Sequence, residues 1–231
     1  MTSVIDLAQL SRAIYTGDTA SGWSLVQLRA AWRGLLSEGL QAGFYQGGGQ
    51  NVVAFRGTNI SLRVISAVQD VGADVGLGLG MNSNYFSAAQ SFVEGLSVGR
   101  NVVLCGHSLG GAVAQVVGNR MGLPFVTFNA PGVAVWASRN MGEASYTATA
   151  VRTAGMLVSA AFHPIQALQD VAAAFDTVRG LNVCLDRDPV SKIGVHYGQK
   201  ITIPSVSPSS NPLTQHGIDN VIASLQAYGA L

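Results

Sequence analysis

The chain has 231 residues, a formal net charge of +1 and only 11% charged residues. This length suits a single α/β domain with a large core. The near-zero charge gives no electrostatic basis for binding nucleic acid or a strongly anionic membrane. The mean hydropathy of +0.32 is explained by a sheet buried on both faces, which we favour over an exposed apolar surface for lipid or a partner.

Targeting and cysteine signals are sparse. The most apolar stretch, residues 154–162, is far shorter than the roughly 20 residues of a membrane-spanning helix. The first residues lack the basic and apolar regions of a signal peptide, which predicts a cytoplasmic protein, a mature form or export without a leader. Cys105 and Cys184 lie in apolar runs without metal-ligand spacing, and we interpret them as buried thiols.

In chain order, helices are predicted over residues 4–15 and 23–36, followed by strands at 42–46 and 51–56 joined by a glycine-rich turn. After a glycine-rich stretch at 57–82, the predicted elements are a helix at 84–96, a strand at 102–105, a helix at 109–121, a strand at 125–129, a mainly helical region at 133–179, strands at 181–185 and 195–203, and a helix at 217–228. This alternation predicts one α/β domain over residues 1–231, with a mainly parallel sheet covered by helices on both faces.

A serine stands between a predicted strand and a predicted helix in Gly-His-Ser-Leu-Gly-Gly, residues 106–111. Glycines two residues before and after Ser108 permit a strained turn where strand and helix cross closely. The turn lifts the serine hydroxyl above the sheet, beside the N–H groups that open the helix. This pattern predicts the nucleophile elbow of an α/β-hydrolase, with Ser108 as the nucleophile.

The acid and the base of such a site follow the serine in the chain. Asp186 and Asp188 both follow the strand predicted at 181–185, at the sheet edge where active-site residues collect. We favour Asp188, because Pro189 fixes a turn directly after it. Asp186 is the alternative.

Position separates the four histidines. His107 lies within the elbow, where we expect it to pack and to orient the backbone, and His163 lies in the predicted helical region. His196 begins the strand predicted at 195–203, where a structural role is expected. His216 follows that strand, and the glycine after it suits an exposed, mobile loop, so His216 is predicted to be the base, with His196 as the alternative.

An oxyanion hole needs two N–H donors aimed at the developing negative charge. Leu109, the first residue of the elbow helix, supplies one. The strand predicted at 51–56 ends in Arg-Gly-Thr, in which Gly57 permits a close approach and Thr58 offers the second donor.

Five motifs together resemble the class 3 lipase family, the fungal-type triacylglycerol lipases and their bacterial relatives. They are Val-Val-Ala-Phe-Arg-Gly-Thr at 52–58, Gly-His-Ser-Leu-Gly-Gly at 106–111, Phe-Asn-Ala-Pro-Gly at 128–132, Asp-Pro-Val at 188–190, and the late His216. The resemblance implies an α/β-hydrolase fold, a Ser108–Asp188–His216 triad and an oxyanion hole of Thr58 and Leu109. The chain departs from the fungal members in the glycine-rich residues 59–80, which stand where those lipases keep an amphipathic lid.

These residues predict hydrolysis of a carboxylic ester, of a lipid or a small molecule, through an acyl-serine intermediate that needs neither a metal nor an organic cofactor. Contact with a lipid interface is expected to be transient. A catalytically silent hydrolase that serves as a ligand-binding or interaction module is the alternative.

The alanine-rich region at 143–179 is longer than the corresponding connection in the resembled family. Its apolar residues recur near helical spacing. It is either an insertion that covers the site and contacts an acyl chain, or a helix pair that covers the sheet.

Overall fold

A computed structural model describes residues 2–29, 33–34, 37–38, 40–57, 83–99, 101–141 and 180–229. Its helices are α1 (Val4–Thr16), α2 (Ser83–Glu94), α3 (Leu109–Met121), α4 (Ala134–Met141), α5 (Pro212–His216) and α6 (Ile218–Ala227). Its strands are β1 (Ser24–Arg29), β2 (Arg33–Gly34), β3 (Ser37–Glu38), β4 (Ala42–Gly47), β5 (Gln50–Phe55), β6 (Val103–His107), β7 (Phe125–Phe128), β8 (Gly180–Leu185) and β9 (Gln199–Ile203).

Helix α1 shows how local sequence sets the ends of an element. Ser3 and Asp6 form a capping box, in which each side chain accepts a hydrogen bond from the other residue's backbone N–H. The helix ends at Gly17, whose φ of 76° suits glycine. The helix predicted over residues 4–15 is therefore confirmed.

Seven strands form one sheet in the order β1-β4-β5-β6-β7-β8-β9. The β1–β4 and β4–β5 pairs are antiparallel, and the pairs from β5 to β9 are parallel. The parallel strands therefore end at one edge, where residues of an α/β active site collect.

The sheet separates two hydrophobic cores, because successive side chains of a strand point to opposite faces. Phe55 and Leu104 pack with α2, α3 and α4 on one face. Ala54 and Cys105 pack with α1 and α6 on the other. Every residue of β6, β7 and β8 is buried. The predicted α/β class, with a mainly parallel sheet covered on both faces, is confirmed.

The helix predicted over residues 23–36 is wrong. The chain instead forms β1, which pairs antiparallel with β4 through a register shift between Leu25 and Gln27, and the short β2–β3 pair. All six residues of β1 are exposed. An edge strand without a buried face lacks the alternation that identifies a strand, so its apolar residues mimic helical spacing.

Two other predictions differ from the structure or lie outside it. The last strand begins at Gln199, not at residue 195, so that His196 precedes β9. The glycine-rich residues 59–80 and the alanine-rich region at 143–179 lie outside the described residues. No helix that the structure describes has the length and apolar character needed to cross a membrane.

Candidate active site

Ser108 occupies the sharp turn between β6 and α3. Its φ of 59° and ψ of −130° lie in a backbone region that residues other than glycine rarely adopt. Its backbone N–H donates to the carbonyl of Phe128 at 3.0 Å, which ties the turn to the end of β7. Backbone strain of this kind is a common mark of functional sites.

Glycines make the turn possible, because strand, helix and neighbouring strand meet there without room for a side chain. A Cβ on Gly106 would lie 2.7 Å from the nitrogen of Gly111. A Cβ on Gly110 would lie 2.8 Å from the carbonyl carbon of Phe55. The elbow is therefore packed backbone against backbone, both within itself and against the end of β5.

Leu109 stands at the start of α3, directly after Ser108. The first N–H groups of a helix have no partner within the helix, and they carry its positive end. The structure thus brings a hydrogen-bond donor and a positive dipole to the serine.

Asp188 and His216 form a buried pair. The Oδ1 atom of Asp188 lies 2.8 Å from Nδ1 of His216, and the aspartate is fully buried. The backbone N–H groups of Val190 and Ser191 donate to the same carboxylate at 3.2 and 2.8 Å. Burial raises the pKa of Asp188, but the hydrogen bond and charge of His216, together with Ser191, outweigh it and lower the pKa below its ordinary value.

An ionised Asp188 fixes the tautomer of His216. A carboxylate only accepts hydrogen bonds, so Nδ1 of the imidazole carries a proton and donates it. In the neutral ring, Nε2 then has a free lone pair that can accept a proton. His216 ends the short helix α5 and is buried, which corrects the exposed loop expected there.

The alternative acid and the alternative base lie elsewhere. Asp186 accepts a hydrogen bond from the backbone N–H of Ser205 at 2.9 Å, which anchors the loop after β9. The Nε2 atom of His196 lies 2.8 Å from the carbonyl oxygen of Ala130. Burial, with Lys200 nearby, lowers the pKa of His196 to about 4. The structure therefore brings Asp188, and not Asp186, to His216, and it gives His196 a structural contact.

His107 connects the elbow to His216. Its Nε2 donates to the carbonyl oxygen of His216 at 2.8 Å, and the two rings lie 4.7 Å apart between centroids. Burial, together with the neighbouring His216, lowers the pKa of His107 to about 3, so the ring is neutral at physiological pH. His107 thus packs and orients a backbone, as its place in the elbow predicts.

Two polar atoms of the site are buried without a hydrogen bond to any residue that the structure describes. They are Oγ of Ser108 and Nε2 of His216. A buried polar atom without a partner is rare and needs an explanation. Hydrogen bonds between catalytic groups are often long in the free enzyme and form when substrate binds. This explains why the hydroxyl of Ser108, a donor, and Nε2 of His216, an acceptor, both lack a partner.

The end of β5 is held against the elbow by a tyrosine that the sequence did not single out. The backbone N–H of Gly57 donates to the hydroxyl of Tyr15 at 2.9 Å, and that hydroxyl lies 3.3 Å from Nδ1 of His107. A Cβ on Gly57 would lie 2.7 Å from the carbonyl oxygen of His107, so the predicted close approach of Gly57 is confirmed. Thr58, the predicted second oxyanion donor, lies outside the described residues.

Tyr15 and Asn129 are the functional candidates that sequence reasoning missed. Tyr15 lies in the last turn of α1, far from the motifs, and gives no local signal. Asn129 directly follows β7, and a polar residue at the carboxyl end of a buried parallel strand was an available signal. Among the described residues, no group of His, Cys, Asp or Glu side chains is arranged to hold a metal ion.

The comparisons with known proteins point to phospholipases and lipases. A family model described as a Tle-like phospholipase domain matches residues 6–187. An extracellular phospholipase A1 of Serratia liquefaciens is 31% identical over 191 residues, which cover 81% of this chain and 56% of the relative. The chain thus spans little more than half the length of that relative.

Two solved lipase structures are also similar. A triacylglycerol lipase of Penicillium expansum is 16% identical, with a TM-score of 0.44 over 87% of this chain and 78% of the lipase. The Lip2 lipase of Yarrowia lipolytica is 12% identical, with a TM-score of 0.45 over 87% of this chain and 77% of the lipase.

Proposed function

Because the chain belongs to the Tle-like phospholipase family, we propose that it is a serine hydrolase that cleaves carboxylic ester bonds of lipids, phospholipids foremost. The observation that carries the proposal is the buried His216–Asp188 pair at 2.8 Å, whose histidine carbonyl accepts a hydrogen bond from His107, the residue before the elbow serine. The phospholipase name of the Serratia relative supports the substrate class. The extracellular label of that relative favours export over a cytoplasmic site of action.

In the proposed reaction, Ser108 attacks the ester carbonyl while Nε2 of His216 takes the hydroxyl proton. Asp188 accepts the Nδ1–H hydrogen bond and stabilises the imidazolium that forms. His216 then returns the proton to the leaving alcohol, which departs as the acyl-serine forms. Water, deprotonated by the same imidazole, attacks the acyl-serine, and His216 returns the proton to Oγ of Ser108 as the fatty acid is released.

The tetrahedral oxyanion is held by backbone N–H groups. Leu109 supplies one donor from the start of α3, and Thr58 is proposed to supply the other from the loop after β5. The contact between Gly57 and the elbow supports this assignment, because it brings the residue before Thr58 next to Ser108. Each such donor contributes on the order of 3 kcal/mol to transition-state stabilisation.

The first experiment is hydrolysis of phosphatidylcholine vesicles by the wild type and by Ser108→Ala. We expect the variant to lose at least about 10⁴-fold in turnover and to stay folded, because its lost hydroxyl makes no hydrogen bond to a described residue. Ser11→Ala is the matched control, since it removes another fully buried serine hydroxyl, from α1. A Ser108→Ala variant that keeps more than about a hundredth of wild-type turnover would disprove the proposal.

A silent binding module is the competing hypothesis. Labelling with a fluorophosphonate separates the two, because the reagent phosphonylates only a serine that an adjacent base activates. We expect labelling of the wild type and none of Ser108→Ala. Absence of labelling in the folded wild type would favour the binding module.

The acyl specificity is tested with p-nitrophenyl esters of two to eight carbons. An apolar pocket gains roughly 0.8 kcal/mol for each buried CH₂ group, about fourfold in kcat/KM. We propose that the acyl chain of the substrate binds in such a pocket, so kcat/KM should rise along the series. A flat or falling series would reduce the proposal to a small-ester hydrolase.

A further inference from the structure

Asn129 has an unusual backbone conformation directly after β7. Its φ is 45°, and among the described residues only Ser108 shares a positive φ without being glycine. The residue is fully buried, and its backbone N–H donates to the carbonyl of Val183 on β8 at 2.9 Å. A strained, buried polar residue beside a candidate active site needs a reason.

The side chain of Asn129 bridges the acid and base sides of the site. Its Oδ1 accepts a hydrogen bond from the backbone N–H of Leu185 at 2.9 Å. Its Nδ2 donates to the carbonyl oxygens of His216 at 3.0 Å and Gln215 at 3.3 Å. Leu185 ends β8, three residues before Asp188, so one amide group joins the strand that leads to the acid with the backbone of the base.

We propose that Asn129 is a positioning residue for the reaction, and this inference rests on the proposed function. The carbonyl of His216 accepts two hydrogen bonds, from Asn129 and from His107. These bonds fix the backbone from which the imidazole projects. The Nδ1–Asp188 bond alone would let the ring and the aspartate move together. The two donors on the His216 carbonyl, Asn129 and His107, form a clamp that is proposed to hold Nε2 in a fixed position relative to Ser108.

The chemistry of asparagine explains its presence here. The site needs an acceptor for Leu185 and donors for two carbonyl oxygens, on a short side chain at positive φ. Asparagine supplies all three groups and tolerates positive φ better than most residues. Glycine tolerates the backbone but offers no side chain, and an aspartate carboxylate keeps the acceptor but loses the donors.

The test compares Asn129→Gly and Asn129→Asp with a control at Asn182. Asn182 is also fully buried and also uses its whole amide, donating to the carbonyls of Tyr197 at 2.7 Å and Gln199 at 3.1 Å and accepting from Thr127 at 2.7 Å. None of these hydrogen bonds involves His216 or Asn129. Asn182→Ala therefore costs buried hydrogen bonds of the same kind without touching the clamp.

The readouts are kcat and KM for p-nitrophenyl butyrate, and the downfield proton resonance of the His216 Nδ1–H in the NMR spectrum. Both Asn129 variants should lose about 10²-fold in kcat, the scale expected for misplacing a catalytic group by about 1 Å, with KM nearly unchanged. The resonance should broaden or shift upfield. Asn182→Ala should keep both kcat and the resonance at an equal folded fraction.

The outcomes separate this inference from the proposed function. Should both Asn129 variants keep kcat within about twofold and keep the resonance while Ser108→Ala is inactive, the positioning role is refuted and the hydrolase remains. Activity in Ser108→Ala would overturn the hydrolase and this inference with it. If Asn129→Gly does not fold, Asn129→Asp, which keeps the Leu185 contact and the side-chain shape, decides the question.

Discussion

Ser108 is held by its backbone, whereas His216 is held by hydrogen bonds from distant parts of the chain. The serine gains its position from a strained turn and from glycines that let main chains touch. His216, the proposed base, is fixed through its carbonyl by His107 and Asn129, which lie 109 and 87 residues away in sequence.

Substitutions in the two halves of the site are therefore expected to have different effects on stability and reactivity. On the nucleophile side, steric constraint leaves Oγ free to react, and a wrong backbone would disrupt the fold. On the acid and base side, a polar network leaves Nε2 of His216 free while every other polar side-chain atom of the pair has a hydrogen bond. A substitution on the acid and base side is expected to change reactivity more than stability.

The largest effect is expected from the base. His216→Ala removes the proton acceptor, so turnover should fall at least about 10⁴-fold. His196→Ala is the control, because its ring only contacts the carbonyl of Ala130. Ester hydrolysis should be measured at equal folded fraction. If His196→Ala were the inactive variant, the assignment of the base would be wrong.

The acid is expected to follow. Asp188→Asn keeps the shape but permits the wrong imidazole tautomer, which costs about 10⁴-fold in kcat in serine hydrolases with such a triad. Asp186→Asn keeps an oxygen for the N–H of Ser205 and should lose little activity. Pre-steady-state acylation rates would show whether the loss lies in the attack by Ser108. Equal activities of the two variants would contradict the pairing with His216.

A smaller effect is expected at Tyr15, where the nucleophile side does use a side-chain hydrogen bond. Tyr15→Phe leaves the N–H of Gly57 without its partner, and a buried unpaired donor costs roughly 1–3 kcal/mol. Tyr45→Phe, on β4 in the same hydrophobic core, is the matched control. Urea unfolding measures the difference. Equal midpoints for both variants would show that the hydroxyl of Tyr15 does not stabilise the end of β5.

The smallest effect is expected when the free energy of unfolding is measured as a function of pH. The pKa values of His107 and His196 are lowered to about 3 and about 4, whereas unfolded histidines titrate near pH 6.5. The unfolded chain binds more protons between these values, so stability falls as the pH drops below about 6.5. Each histidine should contribute roughly 1 kcal/mol per pH unit.

Urea midpoints at pH 7 and pH 5 test this prediction. His196→Ala should reduce the slope, because it removes one of the two histidines that stay neutral when folded. The depressed pKa of Asp188 adds a further loss only at lower pH, below the ordinary range of a carboxyl group. An unchanged midpoint between pH 7 and pH 5 would show that the folded histidines accept protons freely.

The same contrast explains what could be predicted from the sequence. The elbow depends on residues within a few positions of Ser108, so its glycines and its strand and helix are visible locally. The parallel strands and most helices are visible for the same reason, as buried apolar runs. The place of Asn129 directly after β7 is a local signal. Its contacts, like those of Tyr15, join residues brought together only by the sheet, and no local pattern reports those contacts.

The wrong helix over residues 23–36 has a related cause. β1 is defined by pairing with β4, across a register shift, and not by a buried face of its own. Strand pairing is a long-range property, and an exposed edge leaves no periodic signal. The short helix that carries His216 was not predicted, although its start has local signals, because Asn211 caps it and Pro212 stands in its first turn.

The burial of Cys105 and Cys184 in the sheet has a chemical consequence. They are the only two cysteines of the chain, both are free, and burial raises the pKa of each thiol to about 12. Almost no thiolate exists at neutral pH, and the thiolate is the form that oxidants, alkylating reagents and disulfides attack. The fold and the proposed triad are therefore expected to be the same with and without a reducing agent.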